Sequence, residues 1–143
     1  MKLNNIPFAT TEWASIPREE KSAEAGQAFW RTQTFGEARV RMVEYTPGYA
    51  SDHWCTKGHV LLCLSGELHT ELADGRQYTL TPGMSYQVAD NAEPHRSTSP
   101  QGATLFIVDQ EDMNAPARAA AHPFFDNNFA TVAAQAATRR RRE

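Results

Sequence analysis

"DHWCTKGH", residues 52–59, places two histidines and a cysteine within seven positions, at His53, Cys55 and His59. Imidazole and thiolate are common protein ligands of transition metals. Side chains two residues apart on a strand share a face, so a strand here would project His53 and Cys55 together. "TKG" (56–58) predicts a tight turn that returns the chain, with His59 opposite Cys55 and their Cβ atoms about 5 Å apart. The stretch therefore predicts a hairpin with three candidate metal ligands on one face.

Short strand-like runs surround this stretch and are separated by glycine, proline and other turn residues. They span residues 28–35, 38–45, 50–55, 59–64, 68–72, 76–80, 84–89, 95–99 and 103–109. Strands of about five residues with turn signals about every eight to twelve residues are typical of an all-β sandwich or barrel. The sequence therefore predicts an all-β fold class.

The chain has 143 residues, which fits one domain. Residues 1–27 are polar and predict an irregular N-terminal arm, held by Phe8 and Trp13. The predicted β-barrel spans residues 28–109. Residues 110–143 form an Ala-rich C-terminal tail without alternation, and we expect this extension to be partly helical or disordered.

Composition excludes several classes of partner. A net charge of −3 gives no general case for binding nucleic acid or membranes, and no apolar stretch is long enough to span a bilayer. The first residues lack the apolar segment of a secretory signal, and two cysteines do not make a disulfide framework. We therefore expect a cytoplasmic protein with free thiols.

The stretch around residues 52–59 resembles the first motif of the cupin superfamily, G-x5-H-x-H-x3,4-E-x6-G. Gly48 precedes His53 by five positions, one fewer than in the motif. Cys55 stands where the second histidine would be, and His59 takes the glutamate position. Gly66 then follows at the spacing that the motif requires.

A second region resembles the cupin motif G-x5-P-x-G-x2-H-x3-N. Gly83 opens it, and the gap between Gly83 and residue 90 is one residue longer than usual. Residues 90–92 replace P-x-G, His95 takes the histidine position and Ser99 replaces the asparagine. The resemblance covers residues 28–109. It is nearest to a small bacterial cupin group named for a D-H-C-W motif, although the last two letters are exchanged here.

The resemblance implies an RmlC-like cupin: a double-stranded β-helix, or jelly-roll barrel, holding a divalent transition metal. It adds His95 to the ligand set of His53, Cys55 and His59. If a bulge turned Cys55 outward, the set would be three histidines. One thiolate and three imidazoles are softer than the usual three-His, one-Glu set, which favours Fe(II) or Zn(II), with nickel or copper as alternatives.

Other residues are predicted to line the pocket or to cover the barrel. Leu61 and Cys63 continue the inward face behind the ligands, with Cys63 a buried apolar residue rather than a ligand. Tyr86 is a candidate substrate contact, and His69 either faces solvent or lies near the site. On the strand 38–45 we expect Arg39 and Arg41 to occupy a solvated face, the alternative being a pair of donors for an anionic ligand, and Val40 and Met42 to occupy the other face.

Three functions fit this sequence. The first is a metal-dependent cupin enzyme acting on a small molecule in the barrel, most simply an oxygenase, with isomerase or lyase chemistry equally compatible. The second is a non-enzymatic module that binds a small ligand or a metal. The third is a vestigial cupin without metal. No catalytic residue is assigned, and the resemblance implies a homodimer formed through N-terminal strands.

Overall fold

Antiparallel β-strands provide nearly all the regular structure of residues 3–111, which are the residues that the computed structural model describes. The strands are β1 (Glu19–Lys21), β2 (Ala28–Phe35), β3 (Ala38–Tyr45), β4 (Tyr49–Ala50), β5 (His59–Gly66), β6 (Leu68–Leu72), β7 (Gln77–Leu80), β8 (Ser85–Val88), β9 (His95–Ser99) and β10 (Ala103–Gln110), and a 3-10 turn spans Trp13–Ser15. The all-β prediction is confirmed. The predicted C-terminal extension lies outside the described residues, apart from its first two positions.

Residues 3–18 and 22–111 form one compact unit, whereas β1 falls in a second unit. In the larger unit one sheet contains the strand order β2–β3–β10–β5–β8, and the other has the order β4–β9–β6–β7. Every pairing of these strands is antiparallel. From β3 onward the chain crosses repeatedly between the two sheets, the topology expected of a jelly roll. Within residues 3–111 no helix has the length and apolar character needed to cross a membrane.

The two sheets share one apolar core. Alternate residues of β3, β5 and β10 point inward and meet side chains from β6 and β7 of the other sheet. The buried cluster consists of Val43, Leu61, Cys63, Leu68, Leu80, Ala103, Leu105 and Ile107. Trp30, Tyr45 and Tyr86 pack against it from its edges. Burial of this apolar surface is the main force that holds the two sheets together.

Gly66 ends β5 at a point where two chain segments nearly touch. Its φ is +78°, and a Cβ at this position would lie 2.0 Å from the carbonyl oxygen of Gly102. Only glycine tolerates both conditions without strain. The glycine of the first sequence motif is therefore required by the crossing of β5 and the β9–β10 turn.

The N-terminal arm contacts the barrel through Trp13. Its ring meets Phe106 of β10 edge to face, with 6.2 Å between centroids. Arg31 of β2 donates a hydrogen bond to the carbonyl oxygen of Ile16. Phe8 is 96 % exposed, so the predicted contact of Phe8 is wrong.

The predicted hairpin over residues 50–59 is also wrong. Strand β4 ends at Ala50, and Cys55 makes only an isolated bridge, with His95 rather than His59. His59 instead begins β5 and pairs with Val88 of β8. Short polar side chains break the strand, because the Ser51 hydroxyl donates to the carbonyl oxygen of His53 at 2.9 Å and so competes with sheet pairing.

The predicted solvated face of β3 is the buried one. Arg39 and Arg41 share their face with Val43 and are almost completely buried. Asp109 of β10 pairs with Arg39 in register and receives its Nε and Nη2 hydrogen bonds at 2.8 and 2.7 Å. Arg41 Nη2 donates to the same carboxylate at 2.8 Å. Although burial opposes ionisation, the two guanidiniums hold the pKa of Asp109 well below its usual range.

We expect Asp109→Asn to lower the free energy of unfolding by about 3–5 kcal/mol, because it removes the negative charge that two buried guanidiniums share. The matched control is Glu44→Gln, which breaks the half-exposed ion pair between Arg18 and Glu44. That change is expected to cost less than about 1 kcal/mol. Urea unfolding of the three proteins measures both values, and equal losses for the two variants would contradict the central role of Asp109.

Candidate metal centre

Two backbone hydrogen bonds place Cys55 beside His95. The Cys55 N–H donates to the His95 carbonyl oxygen at 2.7 Å, and the His95 N–H donates to the Cys55 carbonyl oxygen at 3.0 Å. This reciprocal pair attaches the irregular segment 51–58 to the first residue of β9. His59 begins β5 in the other sheet, so the site lies where the two sheets face each other.

Three side chains converge at this point. Cys55 Sγ and one ring nitrogen each of His59 and His95 all lie within 4.8 Å of one another. The two Nε2 atoms are 3.3 Å apart, close to the separation of about 3.4 Å between two nitrogens bound at about 2.05 Å in a tetrahedral site. Metal bonds of about 2.1 Å to nitrogen and 2.3 Å to sulfur span at most about 4.4 Å. A small side-chain rotation therefore suffices to close all three donors on one ion.

The His95 ring is oriented by the backbone. Its Nδ1 lies 2.9 Å from the carbonyl oxygen of Glu93, an acceptor that can only receive a proton from the ring. Nδ1–H therefore donates to Glu93, and Nε2 presents its lone pair towards His59. Metal-binding histidines commonly use such a carbonyl to fix their tautomer and orientation.

His59 is half-buried and carries one unsatisfied nitrogen. Its Nε2 faces His95 and also lies 3.1 Å from the Tyr86 hydroxyl, whereas its buried Nδ1 has no hydrogen-bond partner. Burial lowers the pKa of His59 to about 3, with the charge of Arg41 adding to the effect. The imidazole is therefore neutral at physiological pH, which is the form that binds metals.

Cys55 and His95 are electrostatically coupled. Burial alone would raise the pKa of the Cys55 thiol, but the hydrogen bond and charge of His95 outweigh burial and lower it. The pKa of His95 shifts the opposite way, because its contact with Cys55 outweighs the effect of burial. Thiolate is the nucleophilic and metal-binding form of cysteine. Cys55 and His95 thus shift each other's pKa values. The resulting set of one sulfur and two nitrogen donors suits a transition metal.

The sequence matches no protein-family model and no curated protein. Among solved structures, an RmlC-like cupin from Shewanella frigidimarina has a TM-score of 0.61 at 18 % identity, over 76 % of this chain and 96 % of that one. The chain has the cupin fold. Ectoine synthase from P. lautus is similar over its whole length and 82 % of this chain, with a TM-score of 0.60 and 17 % identity.

A third similar structure is Fe(II)-HppE with an alternative substrate. Its TM-score is 0.59 at 16 % identity, and the match covers 71 % of this chain but only 60 % of that chain. The two enzymes and the RmlC-like protein thus have the same barrel fold. At these identities the similarity establishes the fold, and the function of each barrel depends on its site.

The structure brings together three of the four ligands predicted from sequence. His53 is not part of the cluster: its side chain is 49 % exposed, and its Nδ1 lies 2.7 Å from Asp52 Oδ1. It remains close enough for its charge to lower the pKa of Cys55, after the larger influence of His95. His53 therefore lies outside the cluster of Cys55, His59 and His95.

The predicted pocket residues lie in different surroundings. Leu61 and Cys63 are buried in the apolar core, and Tyr86 contacts His59 directly. Burial raises the pKa of Tyr86 well above its usual value, so its hydroxyl stays protonated and can donate. His69 is 41 % exposed, and its Nε2 lies 3.0 Å from a Glu67 carboxylate oxygen.

An open surface depression with a volume of about 590 Å³ lies elsewhere. It is open to solvent, and its lining includes the exposed pair Arg18 and Glu44 together with Tyr45 and Gln101. Neither Cys55 nor the two site histidines line it. The cluster of Cys55, His59 and His95 is the stronger candidate site, because convergent donors with shifted pKa values indicate a site more strongly than volume does.

Sequence reasoning missed Asp109 as a neighbour of the site and kept Arg39 and Arg41 only as an alternative pair of donors for an anionic ligand. The charges of Asp109, Arg41 and Arg39 all influence the pKa of His59, after the larger effect of burial. One signal was available in the run "ATLFIVD" (103–109): Asp109 shares its strand face with Leu105 and Ile107, which are plainly core residues. An aspartate that points into the core requires a cationic side chain that also points into the core.

Gly58 allows β5 to start beside the β8–β9 connection. A Cβ there would lie 2.5 Å from the Asp90 backbone nitrogen and 2.7 Å from the Val88 carbonyl oxygen.

We expect Gly58→Ala to lower the free energy of unfolding by about 1–3 kcal/mol and to move His59 away from Tyr86. The control Thr56→Ala alters an exposed side chain nearby and should change stability by less than about 0.5 kcal/mol. Urea unfolding tests the stabilities, and unchanged NMR contacts between His59 and Tyr86 in Gly58→Ala would contradict the expectation.

Proposed function

We propose that this cupin is a metal-dependent enzyme that binds one divalent transition metal through Cys55, His59 and His95 and acts on a small molecule in the barrel. The observation that carries the proposal is the convergence of one sulfur and two nitrogen donors within 4.8 Å at the meeting of the two sheets. The orphaned Nδ1 of His59 and the fixed tautomer of His95 support the same assignment.

A set of three protein ligands favours catalysis over a purely structural role. Structural zinc sites are usually closed by four protein ligands, whereas catalytic centres keep a position for water or substrate. With His53 outside the cluster, a bound metal would keep such a position. When bound, the metal would supply Lewis acidity or, as Fe(II), the capacity to activate oxygen.

The surrounding residues of the chain have defined roles in this proposal. Glu93 holds the His95 ring through its carbonyl oxygen, so His95 presents Nε2. The protonated Tyr86 hydroxyl stands beside His59 Nε2 and offers a hydrogen bond to a substrate oxygen. The apolar residues behind the ligands, Leu61 and Ile107 among them, exclude water from one side.

The donor set favours Fe(II) or Zn(II), with nickel and copper as alternatives. Fe(II) would make an oxygenase, and one similar structure is described as Fe(II)-HppE with a substrate. Zn(II) would instead favour an isomerase or lyase, and another similar structure is described as a sugar phosphate isomerase of the cupin superfamily from Silicibacter pomeroyi. The metal identity therefore selects between the two reaction classes.

The alternatives are a non-enzymatic binding module and a vestigial cupin. A binding module predicts a metal without an exchangeable position, and a vestigial cupin predicts no metal at all. The homodimer and the cytoplasmic location stay predictions from the sequence.

The first test measures metal content in protein purified without a chelator or a metal-affinity tag. We expect about one metal per chain in the wild type, and at least about a ten-fold lower affinity in Cys55→Ala, His59→Ala and His95→Ala, because each removes a direct ligand. His53→Ala is the matched control and should retain the metal. Complete loss of the metal in His53→Ala would restore the four-ligand set predicted from sequence. An absence of metal from the wild type even after reconstitution would overturn the proposal.

The second test asks whether the metal keeps an exchangeable position. In the Co(II)-substituted protein we expect a thiolate charge-transfer absorption band that disappears in Cys55→Ser, because serine offers no thiolate. Azide should alter the visible Co(II) spectrum of the wild type, because an open position accepts it. A thiolate band that does not respond to azide would favour the binding module over the enzyme.

A further inference from the structure

The turn that connects β8 to β9 is hydrogen-bonded to the segment that leads into His59. The Asn91 N–H donates to the Thr56 carbonyl oxygen at 2.8 Å, and the Gly58 N–H donates to Asp90 Oδ1 at 2.7 Å. Only the second of these contacts uses a side chain, so a substitution can remove it without altering the backbone chemistry. Asp90 therefore attaches the turn to the residue directly before β5.

The conformation of the turn brings both groups to this segment. The Ala92 N–H donates to the Ala89 carbonyl oxygen at 3.3 Å, which closes the turn. Asn91 has a φ of +58°, a left-handed conformation that asparagine adopts more readily than most residues. The Asp90 carboxylate and the Asn91 N–H consequently contact the same three residues, 56–58.

The attached segment carries or adjoins two of the three candidate metal donors. Cys55 is bridged to His95 by two backbone hydrogen bonds, and His59 follows Gly58 directly. Between Cys55 and Gly58 lies Lys57, whose carbonyl oxygen is 3.9 Å from Cys55 Sγ. The position of Gly58 therefore affects both the sulfur and the imidazole that follows it.

The metal centre needs more accurate placement than an irregular segment provides by itself. The three donor atoms lie within 4.8 Å of one another, whereas bonds to one ion span at most about 4.4 Å. A working site must be held to within about 0.5 Å of its productive geometry. Between Ala50 and His59 no strand is continuous, so each hydrogen bond to this segment contributes strongly to its position.

We infer that Asp90 is a positioning residue of the candidate metal centre, which acts through the Gly58 N–H on the placement of His59. The assignment to a metal centre rests on the proposed function, whereas the placement of His59 is a property of the metal-free chain. Asp90 is the first residue of the stretch 90–92 that replaces P-x-G of the second cupin motif. A proline side chain has no hydrogen-bond acceptor, so this departure from the motif supplies the contact.

Two variants separate the hydrogen bond from the charge of Asp90. Asp90→Asn keeps a side-chain oxygen at the same distance from the backbone, whereas Asp90→Glu keeps the charge and moves the oxygens by one methylene. In zinc titrations against a competing chelator, we expect the affinity of Asp90→Asn to stay within about two-fold of the wild type. Asp90→Ala and Asp90→Glu should each bind zinc at least about three-fold more weakly, which matches the net loss of one hydrogen bond. Rescue by glutamate but not by asparagine would overturn the inference.

The matched control is Thr46→Ala. Thr46 Oγ1 accepts the Gln27 N–H at 2.8 Å, a contact of the same kind. Strand register places Tyr45 level with Gly66, at the end of β5 opposite to His59. Thr46→Ala should therefore keep the zinc affinity of the wild type and the visible spectrum of its Co(II) form, and Asp90→Ala should alter both. An Asp90→Ala protein that matches Thr46→Ala in both measurements would overturn the inference.

A measurement on the chelator-treated full-length protein tests the placement without metal. By NMR, the Gly58 amide should be protected from hydrogen exchange in the wild type and Asp90→Asn, and lose this protection in Asp90→Ala. The contact between the His59 and Tyr86 rings should weaken in Asp90→Ala alone of these three proteins. Unchanged exchange and an unchanged ring contact in Asp90→Ala would overturn the inference. If Asp90→Ala does not fold, the comparison of Asp90→Glu with Asp90→Asn decides.

The outcomes distinguish this inference from the proposed function. A displaced His59 in metal-free Asp90→Ala, together with no metal binding by the wild type, would support the role of Asp90 in placing His59 and overturn the metalloenzyme. Metal binding that Asp90→Ala and Asp90→Glu leave unchanged would support the metal centre and overturn the role of Asp90.

Discussion

The reciprocal backbone hydrogen bonds between Cys55 and His95 are the constraint on which the site depends. They hold an irregular segment against the first residue of β9, at 2.7 and 3.0 Å, where no continuous strand pairing exists. Without this bridge Cys55 would not approach His95, and the coupling of thiol and imidazole would be lost. Gly58 completes the arrangement by letting β5, and therefore His59, start close to the same point. The donor cluster is thus produced by backbone geometry rather than by contacts among its own side chains.

The barrel interior has two chemically different parts. Around Val43, Leu105 and Cys63 it is apolar and closely packed, whereas the ends of β3 and β10 that carry Arg39 and Asp109 are charged. A buried ion cluster is rarely the most stabilising way to fill a core, since desolvation offsets much of the attraction between charges. The cluster also acts on His59: after the larger effect of burial, Asp109 raises the pKa of His59, whereas Arg41 and Arg39 lower it.

Local patterns predicted the strands well and the site only in part. The runs 28–35 and 38–45 agree with β2 and β3 at both ends, because their composition and flanking turns are local signals. The predicted hairpin was wrong because Cys55 pairs with a residue of a distant strand, which spacing cannot reveal. The inward face of β3 was predicted wrongly for the same reason, since the carboxylate that makes buried arginines tolerable lies 70 residues from Arg39. Only the resemblance to a motif added His95 to the expected ligand set. His53 was included because a strand over residues 50–55 would place it on the same face as Cys55, and the chain does not form that strand.

X-ray absorption spectroscopy of the metal-loaded protein tests the central claim most directly, because it counts sulfur and nitrogen neighbours around the metal. The account predicts one sulfur at about 2.3 Å, two imidazole nitrogens at about 2.0–2.1 Å, and at least one further light atom from water or substrate. The sulfur should vanish in Cys55→Ser. A first shell without sulfur in the wild type, or one filled by three imidazoles and a sulfur, would contradict an open centre built from Cys55, His59 and His95.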